Sequence, residues 1–275
     1  MEIPRRFLGE IYVTYKIMVG CQKGGVGKSL STVILAEMFA ASGFKVLVLD
    51  LDSQGNATQM LTQQSIYANS GNTILEAIKE LNPAKYLLHP RENIDLLPSD
   101  DMLVSFSRYI YQERVADPIN TLGNAIREIE SNYDIILMDC PPNLGDIVLN
   151  AIVYSDYIIV PVNPDAFGMD ALERFIDNIE DAVKAGHTTA RILGILFTMR
   201  ETRNTLERTI STDIRSRYKD MVFDTEIRKR AKLKEYALTG VRMAKKVDID
   251  TLEDYILLTE EITNRIKEMN SSYGR

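Results

Sequence analysis

The sequence predicts an α/β fold: a mostly parallel, twisted sheet with helices on both faces. Three observations carry this. Short, continuously apolar β-rich runs recur along the chain, longer stretches with helical spacing separate them, and no Pro-, Gly- or Ser-rich linker interrupts the 275 residues. Strands that are apolar on both faces and separated by helices belong to a parallel sheet covered on both sides.

The elements follow in order. Residues 15–21 form the first β-rich run, and the helical stretch 29–41 follows it, closed by Gly43 as helix C-termini prefer. Runs 45–50 and 94–97 supply the next strands. The helical stretch 119–130 leads into a strand at 134–140, and a strand at 157–162 precedes a helix over 171–185. A strand at 192–198 and a helix over 206–218 continue the alternation. Residues 251–267 close the chain as an amphipathic helix, with Leu252, Tyr255, Ile256, Ile262 and Ile266 available for burial. Residues 1–15 read as an N-terminal extension, and 16–275 as one domain without internal repeats.

Composition narrows the classes. Hydrophobic residues make up 45% and charged residues 26%, which excludes a disordered or fibrous chain. No apolar run reaches the roughly 18 residues that span a bilayer. The first sixteen residues mix Glu2, Arg5, Arg6 and Glu10 with short apolar pieces, unlike a signal peptide. Cys21 and Cys140 are too few for a disulfide scaffold, and a reducing cytoplasm is the simple reading. His89 and His187 lack partners at ligand spacing, and Met169 and Met199 read as core.

The 32 Lys+Arg against 39 Asp+Glu give a formal net charge of −7, which at face value disfavours nucleic acid. The distribution reverses that. Residues 227–246, IRKRAKLKEYALTGVRMAKK, hold Arg228, Lys229, Arg230, Lys232, Lys234, Arg242, Lys245 and Lys246 against only Glu235. Read as one helix, this segment places Arg228/Lys232 and Arg230/Lys234 as i,i+4 neighbours. Like charges so placed repel, and a polyanion reverses that cost.

The strongest chemical signal is GCQKGGVGKS, Gly20 to Ser29, between the first strand and the first helix. Glycines let the backbone turn tightly, so that successive N–H groups and the helix N-terminus face phosphate oxygens. Lys28 can reach the β- and γ-phosphates, and the Ser29 hydroxyl can ligate Mg²⁺. The general G-x-x-x-x-G-K-[ST] expression is not met. K-G-G-x-G-K-S stands instead, with an additional lysine, Lys23, inside the loop.

Lys23-Gly24-Gly25-Val26-Gly27-Lys28-Ser29 resembles the deviant Walker A motif of ParA/MinD-type ATPases. VLVLDLDSQGNAT resembles the D-x-D-x-Q-G-N switch I of the ParA branch, and YDIILMDCPPNLGDIVLNA its Walker B strand and switch II. The resemblance implies a P-loop fold that hydrolyses ATP with Mg²⁺. Its nucleotide-binding residues are Lys23, Gly24, Gly25, Val26, Gly27, Lys28, Ser29 and Leu30. Ser29 and Asp139 serve the metal, Asp52 orients the attacking water, and Lys28 neutralises phosphate charge. Asp50 either anchors its loop or takes a metal-linked role, and Gln54 and Asn56 are switch or turn residues. Lys23 reaches across an ATP-dependent homodimer to the partner's nucleotide. Three departures stand out: Leu30 replaces a usual Thr, Ser53 a usual Pro, and Arg228-Lys229-Arg230 the usual P-R-N near the adenine.

By the same resemblance the C-terminal basic residues bind double-stranded DNA without sequence preference, with Arg200, Arg203, Arg215 and Arg217 as the fallback. The implied role is DNA partition by a cytoplasmic, nucleoid-associated ATPase of the short type, without a helix-turn-helix domain, stimulated by a ParB-like centromere-binding protein. Two alternatives are a MinD-like membrane-cycling or other cargo-positioning ATPase and a DNA-coating adaptor that binds ATP without turnover. The tail ITNRIKEMNSSYGR is short of bulky apolar residues for a membrane helix, so no membrane partner is expected.

Overall fold

The computed structural model describes residues 13–272 apart from 166, 202 and 203. Residues 1–12 of the N-terminal extension, and the fallback residue Arg203, lie outside the described residues.

The chain alternates strand and helix. β1 (Tyr15–Val19) leads through the glycine-rich loop into α1 (Lys28–Ala41), and β2 (Val46–Asp50) into α2 (Asn56–Thr62). α3 (Ile74–Glu80), β3 (Leu88–Arg91), β4 (Ile94–Leu97), α4 (Phe106–Gln112) and α5 (Thr121–Glu130) follow. Then come β5 (Ile135–Asp139), α6 (Asp146–Tyr154), β6 (Tyr157–Val162), α7 (Gly168–Lys184) and β7 (Arg191–Phe197). α8 (Thr205–Tyr218), α9 (Ala231–Thr239) and α10 (Lys246–Ser272) complete the chain.

The seven strands form one sheet in the order β3-β4-β2-β5-β1-β6-β7, parallel throughout except for β3, which pairs antiparallel with β4 at the edge. Every residue of β2, β5 and β6 is buried, as a sheet covered on both faces demands. Alternate residues serve opposite cores. Ile135 and Leu137 pack with α1, α2, α9 and α10, whereas Ile136 and Met138 pack with α3 to α8. Gly43, at φ 86°, ends α1 as expected.

Two expectations need correction. β3, LHPR, is not among the expected strands, because a short edge strand carrying Pro90 and His89 has no apolar period. The basic segment is not one helix either. Arg228 bridges Arg200 in extended backbone, α9 begins only at Ala231, and Gly240 ends it, so Arg228/Lys232 and Arg230/Lys234 are not neighbours on a shared helix. The supposed like-charge repulsion falls with that geometry.

Candidate active site

The sheet register assembles the site. Asp139 at the end of β5 lies beside Val19 of β1 and Asp50 of β2. The glycine-rich loop therefore leaves the sheet beside β5, which ends on Asp139, with Asp50 at the end of β2 one strand farther. Ligands of open α/β sheets bind at these carboxyl ends.

In the loop, Gly25 and Gly27 adopt left-handed φ of 74° and 80°, which glycine tolerates without strain. Gly27 caps α1 without a side-chain hydrogen bond, so the helix's first N–H groups are not claimed by a capping side chain. The Lys28 ammonium, largely buried, donates to the Lys23 carbonyl at 2.8 Å, curling over its own loop. Leu30 turns its side chain into the core shared with Ile17 and Val33. At that position only the backbone remains to serve a phosphate. Lys23 itself pairs with Asp165, ahead of α7, and Asp165 also accepts from the Phe167 N–H at 3.0 Å.

The three carboxylates differ. Asp50 is fully buried and accepts from the Thr58 N–H at 2.8 Å, the Thr58 hydroxyl at 2.7 Å and the Asp52 N–H at 3.2 Å. Of its two readings, the anchoring one matches this geometry, since Asp50 ties α2 to the end of β2. Burial, against these hydrogen bonds, pushes its pKa up to about 6. Asp52 accepts the Gln54 N–H at 3.0 Å, an Asx-type turn that shapes switch I. Asp139 is fully buried, and neither carboxylate oxygen has a partner at full hydrogen-bond geometry, with the Ser29 hydroxyl placed to donate to it. Burial first, then Asp50 and Asp52, raise its pKa well above the usual range, while nearby Ser29 and Lys28 act the other way.

A buried carboxylate without a partner is costly unless a cation or donor meets it. Ser29 and Asp139 together fit Mg²⁺, which takes one or two protein oxygens and completes its shell with phosphate and water. Among the described residues no three His, Cys, Asp or Glu side chains converge as a complete metal cage, and a phosphate-completed site does not need one. Both thiols, Cys21 and Cys140, are pushed up by burial and stay protonated.

The candidate DNA residues divide into two sets. Arg228 is held by Asp254 and Glu253, Lys229 by Glu201, Arg230 by Glu253 at 3.6 Å, and Lys232 by buried Asp248 at 2.8 Å. Lys234, Arg242, Lys245 and Lys246 are exposed and form no ion pair among the described residues. Of the fallback residues, Arg200 and Arg215 share Glu226, and Arg217 pairs with Glu173. Sequence reasoning missed Asp165, Thr58 and Thr198. Only Thr58, inside the switch I match, carried a local signal.

This fold and loop define a P-loop ATPase of the ParA/MinD type. The AAA domain family matches residues 14–192. The chain is 31% identical to the chromosome-partitioning ATPase Soj of Thermus thermophilus over 92% of its own length and 97% of the relative's. A Cyanothece McdA variant in complex with ATP superposes with a TM-score of 0.81 at 20% identity, over 91% of this chain and 96% of that one. Cobyrinic acid a,c-diamide synthase from Mycobacterium smegmatis, solved with ADP and magnesium, superposes with a TM-score of 0.73 at 25% identity, over 82% and 92% of the two chains. The chain belongs to the ParA family of ATPases. No helix among the described residues is long and apolar enough to cross a membrane.

Proposed function

We propose that this chain hydrolyses ATP with Mg²⁺ and uses its nucleotide state to govern DNA association, as a partition or cargo-positioning ATPase. The orphaned, buried Asp139 carboxylate at the foot of the phosphate loop carries the reading, because an Mg²⁺–nucleotide is the partner its surroundings fit. The metal would neutralise charge on the transferring phosphate. Ser29 and Asp139 hold it, the former directly and the latter through water. Lys28 swings from the Lys23 carbonyl to the β/γ-phosphates, and the loop N–H groups of Gly24 to Leu30 cradle them. Asp52 orients the attacking water. Lys23, released from Asp165, crosses to the partner's nucleotide in an ATP-dependent homodimer. Residues 16–275 act as one ATPase domain, and a ParB-like partner accelerates turnover on nucleoid DNA in the cytoplasm.

The full arrangement of basic residues, Arg228 to Lys246, offers DNA a patch, with Lys234, Arg242, Lys245 and Lys246 as its available cations. A membrane-cycling role is disfavoured because Ile262 and Ile266 of the tail are spent in the core. The test is steady-state phosphate release with Mg²⁺, with and without duplex DNA. Wild type turns over slowly, and DNA or the partner raises the rate. Lys28→Ala loses nucleotide binding, and Asp52→Ala binds ATP without turnover. Turnover by Asp52→Ala at the wild-type rate would remove the role given to Asp52. Absence of turnover in wild type would favour the non-hydrolysing adaptor.

A further inference from the structure

We infer that Thr198 is a positioning residue for the phosphate loop, and that Thr198-Met199-Arg200 straps this loop to the basic segment. The strap rests on the proposed nucleotide-governed DNA association and deepens it.

Thr198 follows β7 and is buried. Its N–H donates to the Val162 carbonyl of β6 at 2.9 Å, and its hydroxyl donates to the Val26 carbonyl at 2.8 Å. In a planar trans peptide, a carbonyl and the following N–H point opposite ways. Holding the Val26 carbonyl against the end of β7 therefore turns the Gly27 N–H away from the sheet, free for an anion. The grip orients a donor that the loop itself, rich in glycine, does not orient.

Met199 comes next, at φ 56°, in the left-handed region that a non-glycine residue rarely adopts. Its Cε lies 3.3 Å from where a Cβ on Gly27 would stand, so its side chain covers that glycine. Such a backbone persists only where its neighbours over-determine it. Here Thr198 is pinned on one side, and on the other the Arg200 N–H donates to the Ile227 carbonyl at 3.0 Å.

Arg200 completes the link. Its carbonyl accepts the Lys229 N–H at 3.0 Å, and its buried guanidinium binds Glu207 at 3.2 Å and Glu226 at 2.9 Å. Three consecutive residues thus touch Val26 and Gly27 at one end and residues 227–229, at the start of the basic segment, at the other. A nucleotide that resets the Val26–Gly27 peptide changes what Thr198 and Met199 must accommodate. Linkage then requires DNA to tighten ATP binding by the factor with which ATP tightens DNA binding.

The experiment compares wild type with Thr198→Ser, Thr198→Val and Met199→Gly. Thermal unfolding checks folding, a fluorescent ATP analogue reads nucleotide affinity, and anisotropy of a labelled duplex reads DNA affinity in ATP and in ADP. Thr198→Val should weaken nucleotide binding about fivefold, the worth of one neutral hydrogen bond, and lower the ATP-over-ADP ratio of DNA affinity. Thr198→Ser keeps the hydroxyl and should behave as wild type. Met199→Gly should lower the same ratio, and it decides the matter if Thr198→Val does not fold. Wild-type nucleotide affinity and ratio in folded Thr198→Val would overturn the proposal. Weakened nucleotide binding with an unchanged ratio would overturn the strap and uphold the positioning role. A wild-type protein whose DNA affinity ignores nucleotide would overturn the proposed function and the strap with it, and nucleotide affinity alone would then decide the positioning role.

Discussion

Charge removal in the basic segment should act on the unpaired cations far more than on the paired ones. Arg228, Lys229, Arg230 and Lys232 already face carboxylates of α10 or Glu201, whereas Lys234, Arg242, Lys245 and Lys246 form no ion pair among the described residues. A cation already neutralised releases little counterion from DNA, because it must first give up its own partner. The slope of log affinity against log salt is about −0.9 per phosphate contacted, so four contacts give about −3.6 per engaged protomer. That amounts to a fall of about 150-fold between 50 and 200 mM salt. The assay is anisotropy of a labelled, arbitrary-sequence duplex in ATP, titrated with salt. Glutamine at 234, 242, 245 and 246 should remove most of the slope. Glutamine at 228, 229, 230 and 232 should leave the slope within about one unit of wild type. The latter set should instead lower thermal stability, since buried Asp248 and Asp254 lose their partners. The opposite pattern, with the slope lost in the paired set and kept in the unpaired one, would refute the division.

Three further predictions follow from the site. Asp50 has a folded pKa raised to about 6, so the folded form binds more protons than the unfolded one. The resulting stabilisation is full below the unfolded pKa near 4 and is lost as pH rises through 6, and Asp139, which burial also raises, acts in the same direction. Mg²⁺ with ADP should therefore shift the urea midpoint more at pH 8 than at pH 5.5, and equal shifts would count against a metal at these carboxylates. Gly55→Ala puts a Cβ 2.3 Å from Ile66 Cγ2 at a left-handed φ of 60°. Strain and overpacking together should cost about 2–4 kcal/mol by urea denaturation. A cost that is the same in an Ile66→Ala background would show that the clash is not its source. Lys23→Ala should lower both ATP hydrolysis and ATP-dependent dimerisation, read by phosphate release and light scattering; unchanged values for both would sink the trans role.

Much of the candidate nucleotide site is legible in the sequence because its demands are local. A tight anion-binding turn needs glycines, a lysine and a hydroxyl in sequence, and GGVGKS supplies them between a strand and a helix. Asp139 is legible for a related reason: a carboxylate ending an otherwise apolar strand stands out. What stays hidden comes from a distance. Asp165, which holds Lys23, lies 142 residues along the chain, and Thr198, which holds Val26, lies 172. Neither belongs to a spacing pattern. The basic run misleads because a count over neighbouring residues omits partners on another helix. Asp248, Glu253 and Asp254 of α10 neutralise part of what looks like a bare cationic stretch.

The same physics accounts for both the legible and the hidden parts. A parallel sheet buried on both faces excludes polar side chains from its central strands, so β2 and β5 carry an acid only at their carboxyl ends. The register then sets Asp50 beside Asp139. Two carboxylates in that position repel, and the fold resolves the conflict differently for each. Asp50 receives three well-formed hydrogen bonds from Thr58 and Asp52, whereas Asp139 has only the Ser29 hydroxyl beside it and no partner at full hydrogen-bond geometry. A structural acid is one whose hydrogen bonds are complete. Asp139 is incomplete within its own chain, and that asymmetry, invisible in the letters of the sequence, separates the acid tied to Thr58 from the acid that Mg²⁺ would complete in the proposed function.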